Sequence, residues 1–161
     1  MHPRASALIH LLELTPHPEG GYYREVFRSP RMVRASDSAV ERAAITTIYF
    51  LLMAGQHSRW HRMTSDEVWH YYEGDPLELI WLNAGRTAAQ HRLLGPATDE
   101  CQPVQVVPGG CWQAGRSPGE YTLVGCSVGP CFVFSEFSLL ADDRDELALV
   151  RDRFPDLATL I

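Results

Sequence analysis

Between residues 44 and 138 the chain alternates short hydrophobic runs with glycine- and proline-containing breaks. The runs lie at 45–53, 58–62, 67–73, 77–83, 88–94, 104–107, 111–114, 121–128 and 131–137. The breaks are Gly55, Gly74-Asp75-Pro76, Gly85, Gly95-Pro96, Pro108-Gly109-Gly110, Ser117-Pro118-Gly119 and Gly129-Pro130. Strands this short, at this spacing, predict an antiparallel sandwich or barrel. Tyr22–Arg28 is rich in β-formers and adds a strand ahead of them. The period changes at both ends. Residues 6–14 place Leu8, Leu11 and Leu12 at helical spacing and are broken by the proline- and glycine-rich stretch 16–21. After Ala141, Asp142 is placed to cap a helix with Leu147, Val150 and Phe154 on one face, stopped at Pro155. Residues 31–42 are polar without an apolar period and predict a loop. No repeat, low-complexity tract or linker interrupts the chain. The expected organisation is one domain over residues 1–161, with a β core at about 20–140 and a C-terminal helix at about 142–154.

Composition narrows the function. All 14 basic residues of the 161 are arginine. A chain without lysine forms no lysine Schiff base and has no P-loop lysine, which removes imine-forming aldolases, transaminases and NTPases of that kind. A net charge of −6, with the arginines dispersed, argues against nucleic-acid binding. The longest apolar run, residues 43–54, is too short to span a bilayer, and the N-terminal residues lack the pattern of a secretory signal. Cys101, Cys111, Cys126 and Cys131 form no CxxC pair, so reduced thiols and a cytoplasmic location are expected.

The informative segment runs from Gly55 to Gly74 and contains His61 and Glu67. Two strands joined by a short turn project side chains from a common face, so His61 and Glu67 are expected to converge. Alternation then puts Glu67, Trp69 and Tyr71 on one face, and Val68, His70 and Tyr72 on the other. His61 offers a base, Glu67 a carboxylate that orients it or raises its pKa, and Tyr71 a phenolic proton. The alternative is a satisfied His61–Glu67 pair in a pocket that only binds. In the first strand, either Tyr23 and Glu25 or Tyr22 and Arg24 face the ligand, unless that strand is an edge at a dimer interface. Trp60, Trp81 and Trp112 read as core, whereas Trp69 shares Glu67's face and reads as pocket. Arg59 and Arg62 flank His61 as anion binders or as solvated ion pairs. Cys111 shares a face with Gln113, either as a pocket thiol or as a small buried hydrophobe.

This segment resembles the first motif of the cupins, G-x5-H-x-H-x3-4-E-x6-G, with Met63 in place of the second histidine. Pro108-Gly-Gly110-Cys-Trp-Gln113 resembles the second motif, with Gln113 replacing its histidine. More narrowly, the chain resembles the cupin family 5 proteins. The matching pieces are His17-Pro-Glu-Gly-Gly-Tyr-Tyr-Arg-Glu25, Ser58-x-x-His61-Arg62, Asp66-Glu67-Val-Trp-His70-Tyr-Tyr-Glu-Gly74-Asp, Val107-Pro-Gly-Gly-Cys-Trp-Gln113 and Tyr121-x-Leu-Val-Gly-Cys-Ser-Val-Gly-Pro130. Together they cover most of residues 17–140, and the family's usual Pro-Gly-Phe reads Pro130-Cys131-Phe132.

The resemblance implies an all-β double-stranded β-helix, or jelly-roll barrel, with short terminal helices. It also implies a common homodimeric state and kinship with deoxysugar-epimerase cupins. A metallocupin holds its metal with three histidines and a glutamate, and here those positions read His61, Met63, Glu67 and Gln113. A thioether and a neutral amide are weak ligands for hard divalent metals. No cofactor is therefore expected; an occupied site would use His61, Glu67 and Gln113, with His57 or water completing the shell. The leading expectation is a metal-independent epimerase or isomerase acting on a sugar or nucleotide-sugar-like molecule through His61, Glu67 and Tyr71. Tyr23, Glu25, Trp69 and Gln113 would line its pocket. A non-catalytic small-ligand-binding protein and a metal-dependent lyase or dioxygenase are the alternatives.

Overall fold

The computed structural model describes residues 2–34 and 40–161. Helix α1 (Pro3–Leu11) is followed by β1 (Thr15–Pro16), β2 (Tyr22–Arg28), the hairpin β3 (Met32–Arg34) and β4 (Glu41–Ala43), and β5 (Thr46–Met53). Next come β6 (His57–Arg62), β7 (Asp66–Gly74), β8 (Leu77–Leu82), β9 (Ala89–Leu94), β10 (Cys101–Gln102) and β11 (Val104–Val107). The chain closes with β12 (Gln113–Arg116), β13 (Tyr121–Gly129), β14 (Ser138–Leu139) and helix α2 (Arg144–Arg153). One six-stranded sheet has the order β1-β2-β5-β13-β7-β11 and the other β10-β9-β8-β12-β6-β14. The two sheets form a jelly-roll sandwich that is not closed into a barrel.

Three apolar clusters follow from the alternation of the strands. Phe50, Leu52, Trp69, Leu77, Leu79 and Val124 meet between the sheets. Trp60, Ile80, Leu82 and Trp112 face outward from the second sheet and are covered by Leu140, Val150 and Leu157 at the C-terminal end. There the Trp60 indole donates to the Leu157 carbonyl at 2.9 Å. Helix α1 covers Leu51 and Leu123 on the outside of the first sheet. Burying the inner face of each strand drives the assembly, since each fully buried Leu, Ile or Phe contributes roughly 1.5–3 kcal/mol.

Several expectations are corrected by long-range pairing. Residues 131–137 hold no strand; they cross the end of the sandwich and contain a single 3-10 turn at Phe134–Glu136. Their backbone is satisfied elsewhere, Cys131 N–H by the Ala43 carbonyl at 2.9 Å and Phe132 N–H by Thr46 Oγ1 at 2.9 Å. The stretch expected as a loop at 31–42 contains β3 and β4, which pair in register and carry the Arg34–Glu41 ion pair. Most of this hairpin's side chains face solvent, so no apolar alternation announces it; residues 35–39 of that expected loop lie outside the described residues. Helix α1 begins at Pro3, and it buries Ala5 and Leu8 while Leu11 is exposed. The strand expected at 111–114 lies at Gln113–Arg116. Asp143, rather than Asp142, caps α2 by accepting from Glu146 N–H at 3.2 Å.

Candidate active site between the sheets

The glycine-rich turn before β2 supplies the inner end of the site. Gly20 has φ +110°, and a Cβ there would lie 2.3 Å from the His57 carbonyl oxygen. Only glycine permits both the dihedral and that approach. The turn is tied to β6 by the Arg59 N–H donating to the Glu19 carbonyl at 2.8 Å. Glu19 and His17 are thereby pressed against the strand that carries His61.

His61 is buried, and its Nδ1 lies 2.8 Å from the Arg59 carbonyl. Donation to that oxygen leaves Nε2 with its lone pair, 3.5 Å from a Glu19 carboxyl oxygen. The same Glu19 oxygen lies 3.5 Å from His17 Nδ1, and the other accepts from the Ser58 hydroxyl at 2.9 Å. Burial raises the Glu19 pKa to about 8, against the opposing Ser58 hydrogen bond and the Arg59 charge. Glu19 is therefore a neutral acid at neutral pH, between two imidazoles that burial keeps neutral. For His61, burial outweighs the nearby Glu67, so its pKa moves down rather than up.

Glu67 starts the inner face of β7. Its Oε2 accepts from Gln113 Nε2 at 2.6 Å, and Gln113 Oε1 accepts from the Trp69 indole at 3.2 Å. Burial raises the Glu67 pKa to about 7, with His61 pulling it down and Glu19 pushing it up. The carboxyl is poised near neutrality and held by a chain of buried partners.

A cavity of about 270 Å³ opens beside this carboxyl. Its polar lining includes His17, Tyr23, Glu25, Arg28 and Glu67, and its apolar wall includes Ile48, Met63, Val128, Phe132 and Phe134. At the wall, Glu25 and Arg28 form a bidentate pair at 2.7 and 3.0 Å. Arg28 also donates to the Phe132 carbonyl at 3.3 Å, anchoring the aromatic crossing segment.

The structure divides the expected site residues into three groups. Glu67, Tyr23 and Glu25 line the cavity together. His61, Gln113 and Trp69 are all buried and do not line it; Gln113 and Trp69 form the chain supporting Glu67. Tyr71 is not brought to the pair: its hydroxyl donates to the Gly74 carbonyl at 2.6 Å, and three residues of strand lie between it and Glu67. Tyr23 supplies the phenol in the cavity instead. Arg62 lies over the Trp112 ring at 4.4 Å and Arg59 donates to the Pro18 carbonyl, so both have protein partners. His57 opens β6 opposite Arg116. Cys126, not Cys111, lines the cavity. In the sequence, residues 16–21 read as a helix break, and that pattern does not mark His17 and Glu19 as site residues. The available signal was an acid and a histidine beside two adjacent glycines.

The donor chemistry does not suit the metal set considered from the sequence. Gln113 uses its amide to donate to Glu67 and to accept from Trp69. Met63 brings a thioether to the cavity wall, a poor ligand for hard divalent ions. Among the described residues, no group of three or more His, Cys, Asp and Glu side chains is placed to hold a metal ion.

Comparison with known proteins supports the same fold. Residues 6–140 match the family described as Cupin superfamily (DUF985). A hypothetical protein from Leishmania major is 33% identical, with a TM-score of 0.83 over 98% of this chain and 96% of that one. Protein SO0799 from Shewanella oneidensis is 31% identical, with a TM-score of 0.80 over 97% and 93%. A variant of oxalate decarboxylase from Bacillus subtilis shares the fold at 14% identity and a TM-score of 0.59, over 91% of this chain and 37% of that one. No curated protein matches the chain.

Proposed function

This chain belongs to the DUF985 family of the cupin superfamily, and we propose that it binds a small molecule in the cavity beside Glu67 and isomerises or epimerises it by proton transfer, without a metal. The observation carrying this reading is a buried carboxyl of pKa about 7 on the cavity wall, held by Gln113 and backed by His61 and Glu19. A base works best when its pKa is close to the operating pH. In its ionised form Glu67 takes a proton from carbon next to a carbonyl. The C–H electron pair moves into the enolate, and the oxygen becomes the negative end. For epimerisation a second acid, Tyr23 of the cavity lining, gives a proton to the opposite face while Glu67 keeps the first, and both groups then exchange protons with solvent. For isomerisation Glu67 returns its proton to the former carbonyl carbon while the proton of the neighbouring hydroxyl passes to the former carbonyl oxygen. His61 acts here as a positioning residue, since it does not face the cavity.

The cavity volume suits a single sugar-sized ring; the nucleotide part of a nucleotide sugar would stand outside it. The test is to incubate the protein with carbonyl metabolites in deuterium oxide and follow their C–H signals by NMR. Loss of the signal next to the carbonyl is the expected result. Binding without any exchange would overturn the enzymatic reading and leave a ligand-binding protein.

We also propose a homodimer formed through the outer face of β7 and β11. Val104 and Val106 project there opposite His70 and Val68, with the exposed Tyr72 close by. Light scattering should give twice the mass of one chain, and Val106→Arg should return it to that of the single chain. A monomer at every concentration would refute the dimer.

A further inference from the structure

Among the described residues His17 is the one histidine lining the cavity, and its geometry settles which nitrogen carries the proton. The backbone N–H of Glu19 donates to His17 Nδ1 at 3.2 Å. That nitrogen must present its lone pair, so the proton of the neutral ring resides on Nε2. Burial keeps the ring neutral, and a proton on Nδ1 would face the Glu19 N–H. Among the described residues no group accepts a hydrogen bond from Nε2. The ring is held from several sides, edge-on to Tyr23 at 4.4 Å and near Phe50, Phe134 and Phe137. Tyr23 also lines the cavity, and its hydroxyl has no hydrogen-bond partner among the described residues. Two residues that each keep an unused donor thus line a cavity whose remaining wall is largely aliphatic and aromatic.

We propose that His17, locked as the Nε2–H tautomer by the Glu19 backbone, donates the hydrogen bond that holds a ligand's carbonyl oxygen, and that the ligand is a compact, largely apolar ring compound. This deepens, and rests on, the reading of the cavity as the ligand site. A neutral imidazole suits the task, because it donates to a carbonyl and to the enolate formed from it without first delivering a proton. Its fixed orientation removes the need to reorganise as charge develops on the oxygen. The apolar wall selects a ring with few hydroxyls, since every unpaired hydroxyl buried there would cost free energy.

Acetophenone and α-methylstyrene, which has a methylene group in place of the carbonyl oxygen, are the probes. Bound acetophenone should show a lowered carbonyl stretching frequency in the infrared. His17→Phe should abolish that shift and weaken acetophenone roughly three- to tenfold, about one hydrogen bond, with α-methylstyrene unchanged. Equal binding and an unshifted stretch would overturn the proposal. Nitrogen-15 NMR of the wild-type protein gives a test that needs no variant: His17 should be protonated at Nε2 and bare at Nδ1, and the reverse pattern overturns the assignment. Ile48→Trp, which fills the cavity, separates the two levels of the argument. If D-glucose binds, is lost in Ile48→Trp, and acetophenone does not bind, the ligand class fails while the cavity reading stands. Neither probe nor D-glucose binding overturns both.

Discussion

Glu67→Gln is expected to slow hydrogen exchange into a bound carbonyl compound by about 10²–10⁴-fold, the usual contribution of a positioned general base. The substitution preserves shape, and an amide oxygen at the same position can accept from Gln113 Nε2 as the carboxylate does. Folding should therefore survive, which near-ultraviolet circular dichroism will show. Ligand binding should change only slightly, because the substitution removes the base and not the cavity. The measurement is the deuterium incorporation rate of wild type and variant at saturating ligand. An unchanged rate in a folded variant would remove Glu67 from the proton-transfer role.

Raising the pH from about 6.5 to 8.5 should destabilise the fold by about 2–3 kcal/mol, a drop of roughly 5–10 °C in melting temperature. Glu19 and Glu67 have folded pKa values raised to about 8 and about 7. Over this range the unfolded chain has already released both protons, while the folded chain must give them up from buried positions. Their contribution is full below the unfolded carboxyl pKa and is lost as pH rises through the folded values. His17 works in the opposite direction: its folded pKa of about 4 makes stability fall as pH drops from 6.5 towards 4. Above pH 6.5 that effect is absent and the acids dominate. Calorimetry of wild type and Glu19→Gln gives the test, with the variant expected to lose most of the decline. A wild-type melting temperature that rises between pH 6.5 and 8.5 would contradict the neutral state assigned to Glu19.

The strands that bury one face were legible because their alternation records burial. Thr46–Met53, Asp66–Gly74 and Tyr121–Gly129 lie within about a residue of where the pattern places them. The crossing segment 131–137 deceived for a physical reason. Its apolar residues pack as an aromatic cluster beside the cavity, with Phe132 and Phe134 ring centres 4.9 Å apart and Phe134 still exposed, and packing of that kind needs no strand. Tyr71 failed in a related way. Alternation puts it on the same face of β7 as Glu67, but a face is long, and a residue two pleats further along meets the Gly74 carbonyl rather than the cavity.

The sequence by itself determined the β-rich architecture, the terminal helices and the exclusion of lysine chemistry. Each of these depends on local periodicity, residue inventory or spacing within a short segment, all of which a single chain displays. Only the tertiary structure decided which of the candidate groups line the cavity. It carried Glu19 and His17 from the glycine turn to His61, set Tyr23 in place of Tyr71, and withdrew His61, Gln113 and Trp69 behind Glu67. The physical reason is burial: carboxyl pKa values, imidazole tautomers and access to a cavity depend on neighbours distant in sequence. Those neighbours come together only when the two sheets close on each other.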